Sequence, residues 1–139
     1  MPMLNAVPIR APFVDWILEG TKTWEIRSRP TKIRGVVGLI KSKSLTVVGT
    51  ARIVEVIGPL TGTQARLNAD KMNESPYDAA GAEGAFAWVL EDVRKLTTPV
   101  SYRHPSGAVT WVKLDEETAA RVLAAPATEV ARGVVRTAR

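Results

Sequence analysis

The stretch Gly20-Thr21-Lys22-Thr23-Trp24-Glu25-Ile26-Arg27 decides how this chain is read. Just upstream, Phe13, Trp16 and Ile17 stand at i, i+3 and i+4, the spacing of one helical face, and Val14 and Leu18 extend that face. Pro12 suits the first turn of such a helix, where its missing N–H costs nothing. Gly20 suits the left-handed position just past a helix end. The stretch is therefore a helix stop followed by a strand over 23–28. Trp24 and Ile26 face one side of that strand, and Thr23, Glu25 and Arg27 face the other. Lys22 has the opposite parity to Glu25, but it precedes the regular strand and its stem can reach round. A cation, a carboxylate and a guanidinium can thus converge. Glu25 can move a proton, Arg27 can bind phosphate or carboxylate bidentately, and Lys22 can stabilise an oxyanion or hold a phosphate. The plain alternative is a surface ladder of ion pairs worth about 0–1 kcal/mol.

Outward from this stretch the chain reads as strands with a few short helices. Residues 3–9 form a short apolar run that suits a strand. Arg34–Lys41 and Leu45–Ile57 are rich in Val, Ile and Leu and read as strands joined by a turn at 41–44. Gly49 inside the second run predicts a bend or bulge. Residues 61–83 are polar and alanine-rich, predicting a short helix and an irregular loop around 73–77. Ala85–Lys95 reads as a strand with Phe86, Trp88 and Leu90 on one parity, followed by a Pro-punctuated connection over 97–105. Ala108–Leu114 reads as a last strand. Asp115 then caps a short helix with Ala119, Val122 and Leu123 on one face, ending near Pro126. The expected fold is α+β: a small, mainly antiparallel barrel of five or six strands with two or three short peripheral helices. One domain covers 1–126, and 127–139 is a basic C-terminal tail with part-helical character containing Arg132, Arg136 and Arg139.

Composition narrows the chemistry. The 139 residues are 45% hydrophobic and 24% charged, which suits one folded domain. With no cysteine there is no disulfide, thiolate nucleophile or Cys-ligated metal. The single histidine, His104, rules out a two-His zinc motif. One glutamate beside two cations is a poor magnesium site, so no metal and no cofactor is expected. No glycine-rich phosphate loop occurs. No apolar run reaches membrane-spanning length and no secretory pattern opens the chain, so the expected partners exclude membranes and the expected compartment is the cytoplasm.

The net charge is +5, from 19 Lys and Arg against 14 Asp and Glu. Between 22 and 43 stand Lys22, Arg27, Arg29, Lys32, Arg34, Lys41 and Lys43 against Glu25 alone, a local +6. Such a run is a plausible footprint for phosphates, or else a solvated face. Tyr102-Arg103-His104-Pro105 forms a polar loop in which His104 is a proton-transfer group, a phosphate contact or a plain surface residue. Of the four tryptophans, Trp24 and Trp88 read as core, Trp111 is less defined, and Trp16 packs on the barrel with an edge available to a groove.

A helix, then G-x-K-x-x-E-x-R leading a strand, resembles the signature of the ASCH family, a branch of the PUA-like β-barrels. Gly20, Lys22, Glu25 and Arg27 match every motif position. The upstream helix at 11–18 resembles the family's first helix and the strands at 36–40 and 48–56 resemble its next two strands in order, so the likeness spans about 3–114. The resemblance implies a groove between the first helix and the barrel that binds RNA or a nucleotide. Lys22, Glu25 and Arg27 would form its floor, and Trp16 and Thr23 would line it. One branch of the family hydrolyses N4-acetylcytidine. Its lysine matches Lys22, but its threonine nucleophile falls where this chain has Glu25, and the nearest match to its acidic partner is Glu74.

The leading expectation is an RNA-, nucleotide- or nucleoside-binding domain. Arg29, Lys32, Lys41, Lys43, Arg103 and His104 would contact phosphates or bases. A second expectation is a small amidohydrolase or an RNA-cleaving enzyme, with Glu25 activating water and Lys22 or Arg27 stabilising the oxyanion. A third is a sensor of modified bases without turnover, or a protein-interaction module. A strand edge and a basic face permit a dimer and do not require one.

Overall fold

A computed structural model describes residues 3–131. Its strands are β1 (Leu4–Ile9), β2 (Trp24–Arg27), β3 (Gly35–Lys41), β4 (Thr46–Ile57), β5 (Phe86–Ser101), β6 (Val112–Leu114) and β7 (Ala127–Glu129). Its α-helices are α1 (Phe13–Glu19), α2 (Gly62–Leu67), α3 (Pro76–Ala79) and α4 (Glu116–Ala124). Two 3₁₀ turns, Ala69–Met72 and Ala80–Ala82, flank α3.

The strands form one sheet in the order β2-β5-β4-β3-β1-β6, with β7 added on β5. The pair β1–β3 is parallel and the other pairings are antiparallel. The mixed sheet has seven strands rather than five or six, and its hydrogen-bonded path ends at β2 and β6 without closing. β4 and β5 are long and repeatedly bulged, with register shifts between Val47 and Gly49, Thr50 and Arg52, and Ile53 and Glu55. Bulges bend and twist a strand, so the sheet curls around its inner side chains. Gly49 sits at one shift as expected. A Cβ there would lie 2.5 Å from the Arg94 carbonyl oxygen and 2.7 Å from Leu18, so its absence lets α1 seat against β5.

Three apolar clusters hold the elements. Val14, Ile17 and Leu18 of α1 pack with Val7, Ile9, Val37, Leu39, Ile53, Trp88 and Leu90 on one side of the sheet. α4 covers the other end through Ala119 and Val122, against Leu4, Ile40, Val47, Leu96 and Leu114. Trp24 and Ala87 turn outward to a third cluster with Leu60, Ala65, Ala69, Met72, Ala79 and Ala82, which seats the segment between β4 and β5.

Several local expectations change. Pro12 is the residue before α1 rather than within its first turn, while Gly20 takes the left-handed cap at φ 84°. Residues 61–83 contain two short helices and two 3₁₀ turns rather than one helix and a loop. Thr61 and Gln64 form a reciprocal capping box that starts α2. β5 runs on to Ser101 through Pro99, because residues 96–99 fall between the pairs Gly49/Lys95 and Val47/Val100, where no ladder bond to β4 is required. The last predicted strand shrinks to Val112–Leu114. Asp115 caps α4 by accepting from Thr118 N–H, but Leu123 is 40% exposed and lies off the buried face. Ala127–Glu129 pair with β5 as β7, and Arg132, Arg136 and Arg139 lie outside the described residues.

Candidate functional site

The loop after α1 sets the position of Lys22. The Trp16 carbonyl accepts from Thr21 N–H at 3.0 Å and from Lys22 N–H at 3.2 Å, closing the helix end onto the loop. Gly20 is required there twice over: its φ is positive, and a Cβ would lie 2.5 Å from the Ala131 carbonyl oxygen. Thr23 then donates to the Lys71 carbonyl at 2.8 Å, tying the motif to the helical segment across from it. The pairs Glu25/Trp88 and Arg27/Phe86 fix β2 on β5. Glu25 and Arg27 therefore share a face, as their spacing predicts.

Arg27 Nη1 donates to Glu25 Oε2 at 3.1 Å and to the Pro8 carbonyl at 3.3 Å. Its guanidinium lies 5.3 Å from the Trp88 ring centre, and the Lys22 ammonium lies 5.4 Å from that of Phe13. Lys22 is only 4% exposed and Glu25 only 6%, so the surface-ladder alternative does not describe this cluster. These groups line a cavity of about 440 Å³. Pro8, Ile9, Arg10 and Phe13 form one wall, while Met72, Glu74, Asp78, Ala79, Gly81 and Ala82 face them from the helical segment. Lys22 also borders a second cavity of about 330 Å³, with Thr23, Glu91, Asp92, Arg94 and Glu129.

Burial pushes the Glu25 carboxyl above its ordinary range, against the opposing pull of Lys22 and Arg27. Burial likewise pushes the Lys22 ammonium below its ordinary range, against Glu25 and Glu74. Both shifts have consequences for stability. The folded chain keeps the Glu25 proton after the unfolded chain has released it. The stabilisation from Glu25 is therefore full below the ordinary carboxylate range and is lost as pH rises through the raised value. For Lys22 the sign reverses: its contribution is present above the ordinary lysine range and is lost as pH falls through the lowered value. Wild type is thus expected to lose stability relative to Glu25→Gln as pH rises above the ordinary carboxylate range. Urea midpoints taken across pH check this, and a difference that stays flat would contradict it.

Of the residues singled out in the sequence, the structure gathers Lys22, Glu25, Arg27 and Glu74 at the large cavity. Trp16 does not line it; Phe13, one turn earlier on α1, does, with the two rings edge-on at 5.5 Å. Thr23 faces the second cavity instead. Arg29 and Lys32 are exposed on the β2–β3 connection, away from both cavities, and the Arg29 carbonyl accepts from Trp88 Nε1 at 3.0 Å. Lys41 pairs with Asp15 at 3.3 Å. Lys43 and His104 meet at a separate hollow, and Arg103 lies at another beside Lys113 and Asp115. Arg10, Phe13 and Asp78 line the large cavity and carried no signal in the motif. Among the described residues no set of three His, Asp or Glu side chains is arranged to hold a metal ion, and no helix is long and apolar enough to cross a membrane.

A helix closed by a left-handed glycine, a lysine, and a Glu–Arg strand over a cavity define the candidate site. The model of the ASCH domain family matches residues 7–100, and the chain belongs to that family. Its fold is similar to that of the ASCH crystal structure from Zymomonas mobilis, at 17% identity and a TM-score of 0.67, covering 91% of this chain and 97% of the other. A single-residue variant of the ASCH protein from the same organism is similar at 17% identity and a TM-score of 0.64, covering 89% and 98%. No curated protein matches this sequence.

Proposed function

We propose that this chain binds one unpaired nucleobase, with its sugar, in the cavity floored by Lys22, Glu25 and Arg27, and that RNA is the source of that base. The observation that carries this reading is the balance of charge in the lining. Arg10, Lys22 and Arg27 stand against Glu25, Glu74 and Asp78. A polyphosphate would meet three carboxyl groups there. A neutral, planar, polar ligand would instead meet both donors and acceptors, among them the paired Arg27 and Glu25, with apolar walls from Ile9, Phe13, Ile26 and Met72. RNA recognition commonly draws an unstacked base into such a site. Ionised Glu25 accepts from an exocyclic amine, and Arg27 or Lys22 donates to a ring nitrogen or carbonyl. That pattern suits cytosine or adenine.

Calorimetric titration with the four nucleosides and with short single-stranded RNAs tests the reading. Binding to wild type that weakens by roughly tenfold or more in Glu25→Gln is expected, since hydrogen bonds to charged groups are worth about 1.5–3 kcal/mol. Equal binding by wild type and the variant would remove the reading.

The opposed shifts of Glu25 and Lys22 favour a second reading, hydrolysis of an acylated exocyclic amine. Glu25 would take a proton from water as the oxygen adds to the acyl carbon. Lys22 would stabilise the oxyanion, and Glu25 would return the proton to the departing nitrogen. Free cytidine from N4-acetylcytidine, lost in Glu25→Gln, would establish turnover; its absence alongside base binding would leave the chain as a binding module.

A further inference from the structure

The hollow that collects Lys43 and His104 has a different character from the main cavity. Its volume is about 410 Å³, and its lining is Pro8, Ser42, Lys43, Leu45, Tyr102, His104, Ala108 and Val109. None of these described lining residues is acidic, and Lys43 brings a positive charge. The hollow is fixed to the sheet at two points. Ser42 N–H donates to the Ile9 carbonyl at 3.0 Å, and Tyr102 N–H donates to the Leu45 carbonyl at 3.2 Å.

The aromatic pair is held in place by its own hydrogen bonds. His104 Nε2 lies 2.9 Å from the Ala108 carbonyl, which can only accept, so Nε2 carries the proton. In the neutral ring Nδ1 then accepts from the Tyr102 hydroxyl at 2.9 Å. The two rings stand edge to face with centroids 5.8 Å apart. Leu45 and Val109, both exposed, add an apolar rim. Fixed rings, an apolar rim and one cation are what a base and its phosphate require of a single-strand platform.

The two cavities share a wall, because Pro8 lines both. We infer that the hollow is a second nucleotide subsite. It takes the phosphate and base adjoining the base held over Glu25, so the ligand is a single-stranded RNA of at least two nucleotides running across Pro8. This inference rests on the base-binding reading of the main cavity and names the polymeric ligand for it. The division of labour follows from charge: the balanced cavity takes a base, and the acid-free hollow takes the phosphodiester.

The test compares nucleosides with the matching dinucleotides by calorimetry, on wild type, Lys43→Gln, His104→Ala and Glu25→Gln. Lys43 and His104 are exposed, so neither substitution disturbs the core. Dinucleotides are expected to bind wild type roughly tenfold or more tighter than nucleosides, the scale of one stacked base. Lys43→Gln and His104→Ala should each remove much of that gain and leave nucleoside binding unchanged. Lys43→Gln should also flatten the log–log salt dependence of dinucleotide binding by about 0.7, one phosphate contact on a single strand. Dinucleotide binding that is no tighter, or indifferent to both variants, while Glu25→Gln still weakens both ligands, would overturn the second subsite alone. Indifference of both ligands to Glu25→Gln would instead overturn the base-binding reading and the two-cavity path with it, as would a lack of binding throughout.

Discussion

Trp88→Ala is expected to lower the stability of the fold by about 3–5 kcal/mol, the usual range for emptying a large aromatic site. Trp88 is 1% exposed and is the largest fully buried side chain among the described residues. It packs in the cluster that seats α1 on the sheet. Its ring stacks on Trp111 with centroids 5.5 Å apart and planes 5° from parallel, a contact worth about 0.5–1.5 kcal/mol beyond area. Its Nε1 donates to the Arg29 carbonyl, so alanine also leaves that acceptor without its donor. The expected damage reaches the site, because the same ring lies under the Arg27 guanidinium and Trp88 pairs with Glu25 across the ladder. Ligand affinity should therefore fall in Trp88→Ala even under conditions where the chain remains folded. Trp88→Phe keeps most of the apolar volume and loses the indole N–H, so it should fall between. Urea denaturation followed by circular dichroism reads the stability. A loss below about 1 kcal/mol for alanine would contradict the packing argument.

The candidate site was legible in the sequence where chemistry and chain neighbourhood coincide. Gly20, Lys22, Glu25 and Arg27 sit within one helix end and one strand, so period and parity place them. The basic run at 22–43 was not legible in the same way. β2 lies at one end of the sheet, and β3 lies three strands away beyond β5 and β4. Charges adjacent in the chain are thereby spread over separate strands and loops, and Lys41 is drawn to Asp15 on α1. The opposite wall of the cavity was obscured for another reason. Its segment packs through Ala65, Ala69, Ala79 and Ala82, whose small side chains give only a faint apolar periodicity. The positions of Glu74 and Asp78 follow from that packing and from the bond between Thr23 N–H and the Lys71 carbonyl. β7 was missed because Ala127–Glu129 is three residues long and two of the three, Thr128 and Glu129, are polar. Its strand state comes from the β5 edge it covers rather than from its own composition.

The buried charges lead to the second large expectation: Lys22→Met/Glu25→Gln should make the fold more stable while abolishing ligand binding. Desolvation outweighs attraction for both groups, since the carboxyl is pushed up and the amine down despite their mutual pull. Such a pair is held at a cost to the fold. Replacing buried ion pairs with neutral groups of similar volume is often neutral or stabilising by about 1–4 kcal/mol. Methionine follows the lysine stem and keeps the contact with Phe13, while glutamine keeps an oxygen for Arg27 Nη1. Removing one member alone should behave differently. Lys22→Met leaves the Glu25 carboxylate buried with Arg27 as its remaining cation, and its stability should drop instead. The double variant isolates what the charges are for. A higher urea midpoint with an unchanged denaturant slope, together with loss of base and RNA binding, would mean that the cluster is maintained for its ligand against the interest of the fold. A double variant that is less stable than wild type would mean that Lys22 and Glu25 hold the β2 end of the sheet together, and their role in binding would then need evidence from the single variants alone.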